Sequence, residues 1–186
     1  SGQRGGVQAA QGGLDSLVLD ETGSAVRSID AAGVQTDYTY DSLGRIIAVS
    51  DAEGNTTSYT YDEMNRVTSV TDALGGRTFY AYTGSGKMAK VTNPDGTTRC
   101  VGYNEIGKPS VYMDEEGNRT EVSYNTMWKE DMITLPNGGK VKYEYDAYMR
   151  LTAVTDPEGR RTSYAYDPAG NLTEVRNGEG LSASFA

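Results

Sequence analysis

The chain has no histidine, one cysteine, one tryptophan and two phenylalanines in 186 residues. Each shortage closes off a kind of chemistry. Without histidine, neither a Ser-His-Asp nor a Cys-His arrangement can activate a nucleophile. A single thiol, Cys100, excludes an internal disulfide framework. Arg99 beside it favours the thiolate, but no base accompanies the pair, and the pattern puts Cys100 in a strand. No apolar run reaches the length of a membrane-spanning helix, so insertion of that kind is not expected. Basic residues are also scarce, with 17 Lys and Arg against 26 Asp and Glu, a net charge of −9 and a pI near 4.5. Such a surface repels phosphate backbones, and nucleic acid is not an expected partner.

Glycine and tyrosine are plentiful, and they are phased. Gly12, Gly33, Gly54, Gly75, Gly96, Gly117, Gly138, Gly159 and Gly180 recur every 21 residues. A fixed period of this size means one supersecondary unit copied end to end. Tyr40, Tyr61, Tyr82, Tyr103, Tyr124, Tyr145 and Tyr166 form a second column. Two residues earlier stand Tyr38, Tyr59, Tyr80, Val101, Val122, Tyr143 and Tyr164. A turn former follows the second tyrosine, as in Asp41, Asp62, Asn104, Asn125, Asp146 and Asp167. Three residues on comes a weaker glycine column, Gly23, Gly44, Gly86, Gly107 and Gly170, interrupted by Asn65, Trp128 and Met149. Mostly basic residues come next (Arg45, Arg66, Lys87, Lys108, Lys129, Arg150), then an apolar column led by Val49, Val70 and Val91.

Each unit therefore reads as strand, turn, strand, turn. Tyr59-Thr60-Tyr61 alternates, which puts both tyrosines on one face. Asp62-Glu63-Met64-Asn65 and Asp51-Ala52-Glu53-Gly54 carry the Asp-x-x-Gly turn pattern or its variant. The aspartate can accept from backbone N–H groups further round the turn, and glycine at the fourth place supplies positive φ. The turn glycines Gly33, Gly54, Gly75, Gly96, Gly117, Gly138, Gly159 and Gly180 are expected to be structural. Connections this short force antiparallel neighbours. The expected fold is all-β: an antiparallel meander of hairpins forming a curved or spiralling sheet. Ile46 and Val49 do not fit plain alternation, being apolar but three apart; either both faces are partly buried or a bulge lies between them.

The unit running from Tyr38-Thr39-Tyr40-Asp41 through Gly44-Arg45-Ile46 to Asp51 and Gly54 resembles the YD repeat of rearrangement-hotspot (RHS) proteins. Arg66-Val67 to Asp72 and Arg150-Leu151 to Asp156 match as well, and the resemblance covers about residues 17–186. It implies a section of a spiralling β-shell that encloses or displays a C-terminal toxin or effector polypeptide, as in bacterial polymorphic toxins and toxin complexes. A similar barrel belongs to the teneurin adhesion receptors. Partners would be the rest of the shell and its polypeptide cargo. The setting would be secreted or at the cell surface or envelope, in a bacterium. Some relatives cleave themselves at an aspartate motif, which Asp167-Pro168-Ala169-Gly170 resembles, but its phase assigns it to an ordinary turn.

Residues 1–16 read as a degenerate or loosely ordered repeat, and 17–186 as about eight tandem units cut from a longer array. An excerpt of this kind has open edge strands and is expected to self-associate through them.

The carboxylates sit in turns, where backbone capping accounts for them. Equivalent aspartates lie about 9.5 Å apart, too far to share a calcium ion. Gly84-Ser85-Gly86-Lys87 lacks the remaining phosphate-loop residues and falls on a hairpin turn. Asn55, Asn118 and Asn171 head Asn-x-Thr sequons of the kind that arise by chance in chains rich in Asn and Thr. The tyrosines Tyr38, Tyr40, Tyr59, Tyr61, Tyr80, Tyr82, Tyr143, Tyr145, Tyr164 and Tyr166 are expected to form an aromatic ladder, with hydroxyls at a polar rim or in water. Were they exposed, they would instead make a stripe for cell-surface glycan or protein, the reading of an adhesion or carbohydrate-binding array. No catalytic residue, metal ligand or cofactor is expected, and the chain does not read as an enzyme.

Overall fold

Residues 4–8 and 14–185 are described by the computed structural model, with side chains from residue 16 onward. Gly2, Gly12 and Ala186 lie outside the described residues, as does half of the stretch expected to be loosely ordered. Strands β1 (Arg4–Gln8) and β2 (Leu14–Leu19) pair in the phase of the later repeats, with Gly6 opposite Ser16.

The chain is all-β, without a helix among the described residues. It divides into two compact units, Ser1–Gly96 and Thr97–Ala186. The first holds β1 through β9 (Met88–Thr92), the second β10 (Thr98–Tyr103) through β18 (Ser182–Ser184). Within each unit every strand pairs antiparallel with its neighbour in sequence. This follows from turns too short for any other connection. Strands of five and six residues alternate between β3 (Ala25–Ile29) and β17 (Leu172–Arg176).

Both turn sets share one geometry. At the first, Gly44 N–H donates to the Asp41 carbonyl (3.0 Å) and Asp41 N–H to the Arg45 carbonyl (2.9 Å). At the second, Gly54 N–H donates to the Asp51 carbonyl and Asp51 N–H to the Asn55 carbonyl (3.1 and 3.0 Å). Oδ1 of Asp51 also accepts from the N–H groups of Glu53 and Asn55, both at 2.9 Å. Gly54 has φ of 87°, in the left-handed region that L side chains avoid. Asn65, Trp128 and Met149 hold the same place with φ of 63°, 61° and 61°. Turn geometry there prevails over residue preference.

The Ile46–Val49 spacing is explained by a bulge. Between β4 (Gln35–Tyr40) and β5 (Ile46–Ser50), Tyr40 faces Ile46 while Thr39 faces Ala48, so Ile47 is left over. The extra residue restores phase, and Ile46 and Val49 lie on the same face as Tyr40 and Tyr38. The same shift recurs between β6 (Thr56–Tyr61) and β7 (Val67–Thr71), where Tyr61 faces Val67 and Tyr59 faces Val70. One face thus carries tyrosine, valine and isoleucine. The other carries Thr39, Ala48, Ser58, Thr60 and Ser69.

Each unit has little enclosed core. Among the described residues the only buried hydrophobic side chains are Val91, Val122 and Ala153, and the buried polar one is Ser69. Ser69 Oγ lies under Thr60 Oγ1 (2.7 Å) and the Arg77 guanidinium (3.1 Å), so it is fully bonded. With so thin a core, backbone pairing and turn geometry carry a large part of the stability. Gly54→Val should destabilise by about 1–2 kcal/mol, the left-handed penalty for a side chain. Glu53→Val, exposed at the same turn, should stay within about 0.5 kcal/mol. Chemical denaturation of the two variants checks this, and equal tolerance would contradict the positive-φ argument.

Candidate functional site

A bulge changes both sides of its strand. The ladder between β5 and β6 runs only through Ala48–Ser58, Val49–Thr57 and Ser50–Thr56. The two strands part towards the first turn, and the Ile46 carbonyl has no backbone partner across the gap. A carbonyl left unpaired inside a sheet costs free energy. Here a side chain from the next repeat fills the place: Tyr61 donates its hydroxyl to the Ile46 carbonyl at 2.6 Å.

The bond recurs 15 residues back along the chain in five further copies. Tyr40 donates to the Ala25 carbonyl (2.8 Å), Tyr82 to Val67 (2.7 Å), Tyr124 to Pro109 (2.6 Å), Tyr145 to Glu130 (2.9 Å) and Tyr166 to Leu151 (2.8 Å). These hydroxyls bind backbone, not a solvent rim. Burial pushes the Tyr145 phenol up, and the Glu130 carboxylate adds to the shift.

The basic column closes the same junction from the turn side. Arg45 Nε donates to Asp41 Oδ2 (2.7 Å), and its NH1 reaches the Asp62 carbonyl of the next turn (3.2 Å). Its guanidinium lies 4.8 Å from the centre of the Tyr61 ring. Arg66 repeats this with Asp62 (2.7 Å), the Thr83 carbonyl (3.4 Å) and the Tyr82 ring (4.6 Å). Arg150 does so with Asp146 (2.7 Å), the Asp167 carbonyl (3.1 Å) and the Tyr166 ring (4.8 Å). Lys108 stands over Tyr124 at 5.0 Å and donates to the Trp128 carbonyl. In the sequence these cations stand out only as a phased basic column, with no sign of their reach to the next turn beyond the constant separation of 16 residues between Arg45 and Tyr61.

The other expected ladder members sit differently. Tyr38, Tyr59, Tyr80, Tyr143 and Tyr164 face Val49, Val70, Val91, Val154 and Val175 across the strand pair. All ten tyrosines are half-buried. The glycines from Gly33 to Gly180 in the main column all have positive φ.

Nothing comparable gathers for chemistry. Among the described residues no group of three or more Cys, Asp or Glu side chains is placed to hold a metal. A shallow hollow of about 310 Å³ is lined by Asp156, Arg160, Asn177 and Glu179, but Arg160 is already bonded to Asp156 and Glu158.

Two outcomes follow. Tyr61→Phe should cost about 1 kcal/mol or more, because it leaves the Ile46 carbonyl unpaired, whereas Tyr59→Phe, on the valine-facing column, should cost less; denaturant midpoints distinguish them. The second concerns acid. The Arg66 backbone N–H, with the Arg66 guanidinium behind it, holds the Asp62 carboxyl below its usual range, against the opposing effect of burial; Asp41 is held down in the same way by Arg45. A depressed folded pKa means stability that is complete above the unfolded value, about pH 4, and is lost as pH falls through the folded one. The thermal midpoint should therefore drop below about pH 4. Replacing Asp41, Asp62 and Asp146 by Asn, which keeps the turn acceptors, should flatten that drop.

Comparison with known proteins places this geometry. A family model described as Teneurin YD-shell matches residues 17–184. No curated protein matches the chain. Among solved structures, TcdB2-TccC3-Cdc42 superimposes with a TM-score of 0.53 at 15% identity, over 89% of this chain and 11% of that one. TcdB2-TccC3-TEV gives 0.52 at 14% identity, over 92% and 12%. The chain thus spans about an eighth of those structures or less, and the likeness to them is one of fold. With the 21-residue hairpin repeat and a family match over nearly the whole chain, this protein belongs to the Teneurin YD-shell family.

Proposed function

We propose that the chain is a length of shell wall that encloses or holds out another polypeptide of the same protein. The observation that carries this reading is the direction of its side-chain chemistry. The recurring tyrosine, arginine and aspartate bonds run from one repeat to the next, and they consume the groups that a binding or catalytic site would present. The half-buried state of the tyrosine columns supports a wall over a glycan-binding stripe, which needs open ring faces. The name TcdB2-TccC3-Cdc42 sets a third component beside TcdB2-TccC3, and a polypeptide cargo is proposed for this chain's protein. The proposed setting is secreted or at the surface of a bacterial cell, and the role is non-enzymatic.

Limited proteolysis of the whole protein tests the reading. A cargo segment inside the wall should survive protease while the intact wall persists. Replacing Tyr61, Tyr82 and Tyr166 together by Phe should loosen the junctions and speed cargo cleavage several-fold. A cargo cut as fast in the intact protein as in isolation would overturn enclosure.

A further inference from the structure

The two turn edges of the second unit differ in chemistry. One edge is tipped by Glu116, Asn137, Glu158 and Glu179, all polar. The other is tipped by Ile106, Met127, Tyr148 and the small Ala169, with Trp128 and Met149 directly behind, and its five large apolar side chains are all exposed. Tyr148 is 81% exposed, with only the Arg150 guanidinium over one ring face at 5.2 Å, and Trp128 is 51% exposed, so neither side chain is covered within the unit.

Trp128 and Met149 add a second observation. They occupy left-handed backbone, φ 61° at each, where Gly107 and Gly170 stand in neighbouring turns. A side chain there carries a conformational penalty. Strain of this kind persists where function supplies the return. Large apolar side chains, held at a conformational cost and left in water, describe a surface that is covered in use.

We infer that this edge is a docking ridge for a second copy of the chain, ridge against ridge. Three features favour that occupant. Successive turns lie two strand spacings apart, about 9.5 Å. The gaps match a surface of the same pitch, and a second copy has it, so the turns of the two copies interleave. Area agrees as well. A buried aromatic covers about 150–250 Å², so five partly exposed side chains offer on the order of 500 Å² per copy. Two copies approach the ~1,000 Å² that marks a specific interface. Charge does not oppose the contact, despite the acidic chain. The ridge is flanked by Lys108, Lys129 and Arg150 against Glu105, Glu130 and Asp146.

Association through open strand edges is the competing route, and it uses different residues. The chain should sediment as a dimer whose mass is unchanged by Ala183→Lys, which puts a charge on β18 to discourage edge pairing. The triple variant Trp128→Gly, Tyr148→Ser, Met149→Gly should weaken the dimer by at least about tenfold in dissociation constant. Its thermal midpoint, measured where both proteins are monomeric, should hold or rise, because two left-handed strains are removed. Tyr148→Ser alone leaves the backbone cost untouched and should weaken the dimer in the same direction. A chain that stays monomeric at every concentration, or a dimer that survives the triple variant, would overturn the inference. In the first case a different occupant covers the ridge; in the second the edge strands associate.

Discussion

A sheet bulge leaves the carbonyl of Ile46, and of its counterparts in the repeats described, without a ladder partner, and the repeat is organised around that vacancy. The extra residue, Ile47 in one copy, brings Ile46 and Val49 onto the face of the tyrosines. It also parts β5 from β6 beyond Ala48–Ser58. The opened carbonyl is then claimed by a phenol from the following copy. Bulge, tyrosine and cation thus form one device. Without the bulge the apolar residues fall on opposite faces, and without the tyrosine the parted strands have an unpaired polar group between them.

Stability in such an array is close to a sum of terms for single copies and for junctions between neighbours. The junctions are unequal. Those at Arg45, Arg66 and Arg150 combine a carboxylate, a ring and a carbonyl. The one at Lys129 is thinner: Asn125 replaces aspartate, Trp128 holds the strained turn, and Glu130 takes an apolar place. Among the described residues Lys129 makes no ring contact of this kind, though Tyr145 still reaches the Glu130 carbonyl. A lysine cannot imitate the planar fork of arginine, which meets a carboxylate and a carbonyl at once. This junction is the weak step of the second unit.

Much of the fold was legible because its rules are local. Asp51 and Gly54 announce a turn whose bonds depend on four or five residues, and the 21-residue period announces how often it returns. The tyrosine hydroxyls were another matter. Their acceptors are backbone carbonyls, which every residue possesses, so no side-chain pattern could single out Ile46 or Leu151. The spacing of Ile46 and Val49 held the clue, but a bulge and two-faced burial write the same letters. Trp128 and Met149 stood out in sequence only as missing glycines; the structure adds that the backbone kept its left-handed turn in spite of them.

The tyrosine bond has a direction. Its acceptor, Ile46, precedes its donor, Tyr61, by 15 residues, and the five other bonds described keep that order. During synthesis the receiving carbonyl has therefore always left the ribosome before the phenol that binds it. Each copy, as it emerges, meets an open carbonyl already in place on its predecessor, and it completes that predecessor by filling it and by offering the turn carbonyl that the earlier arginine reaches. The wall is laid in courses, from the N-terminus forward.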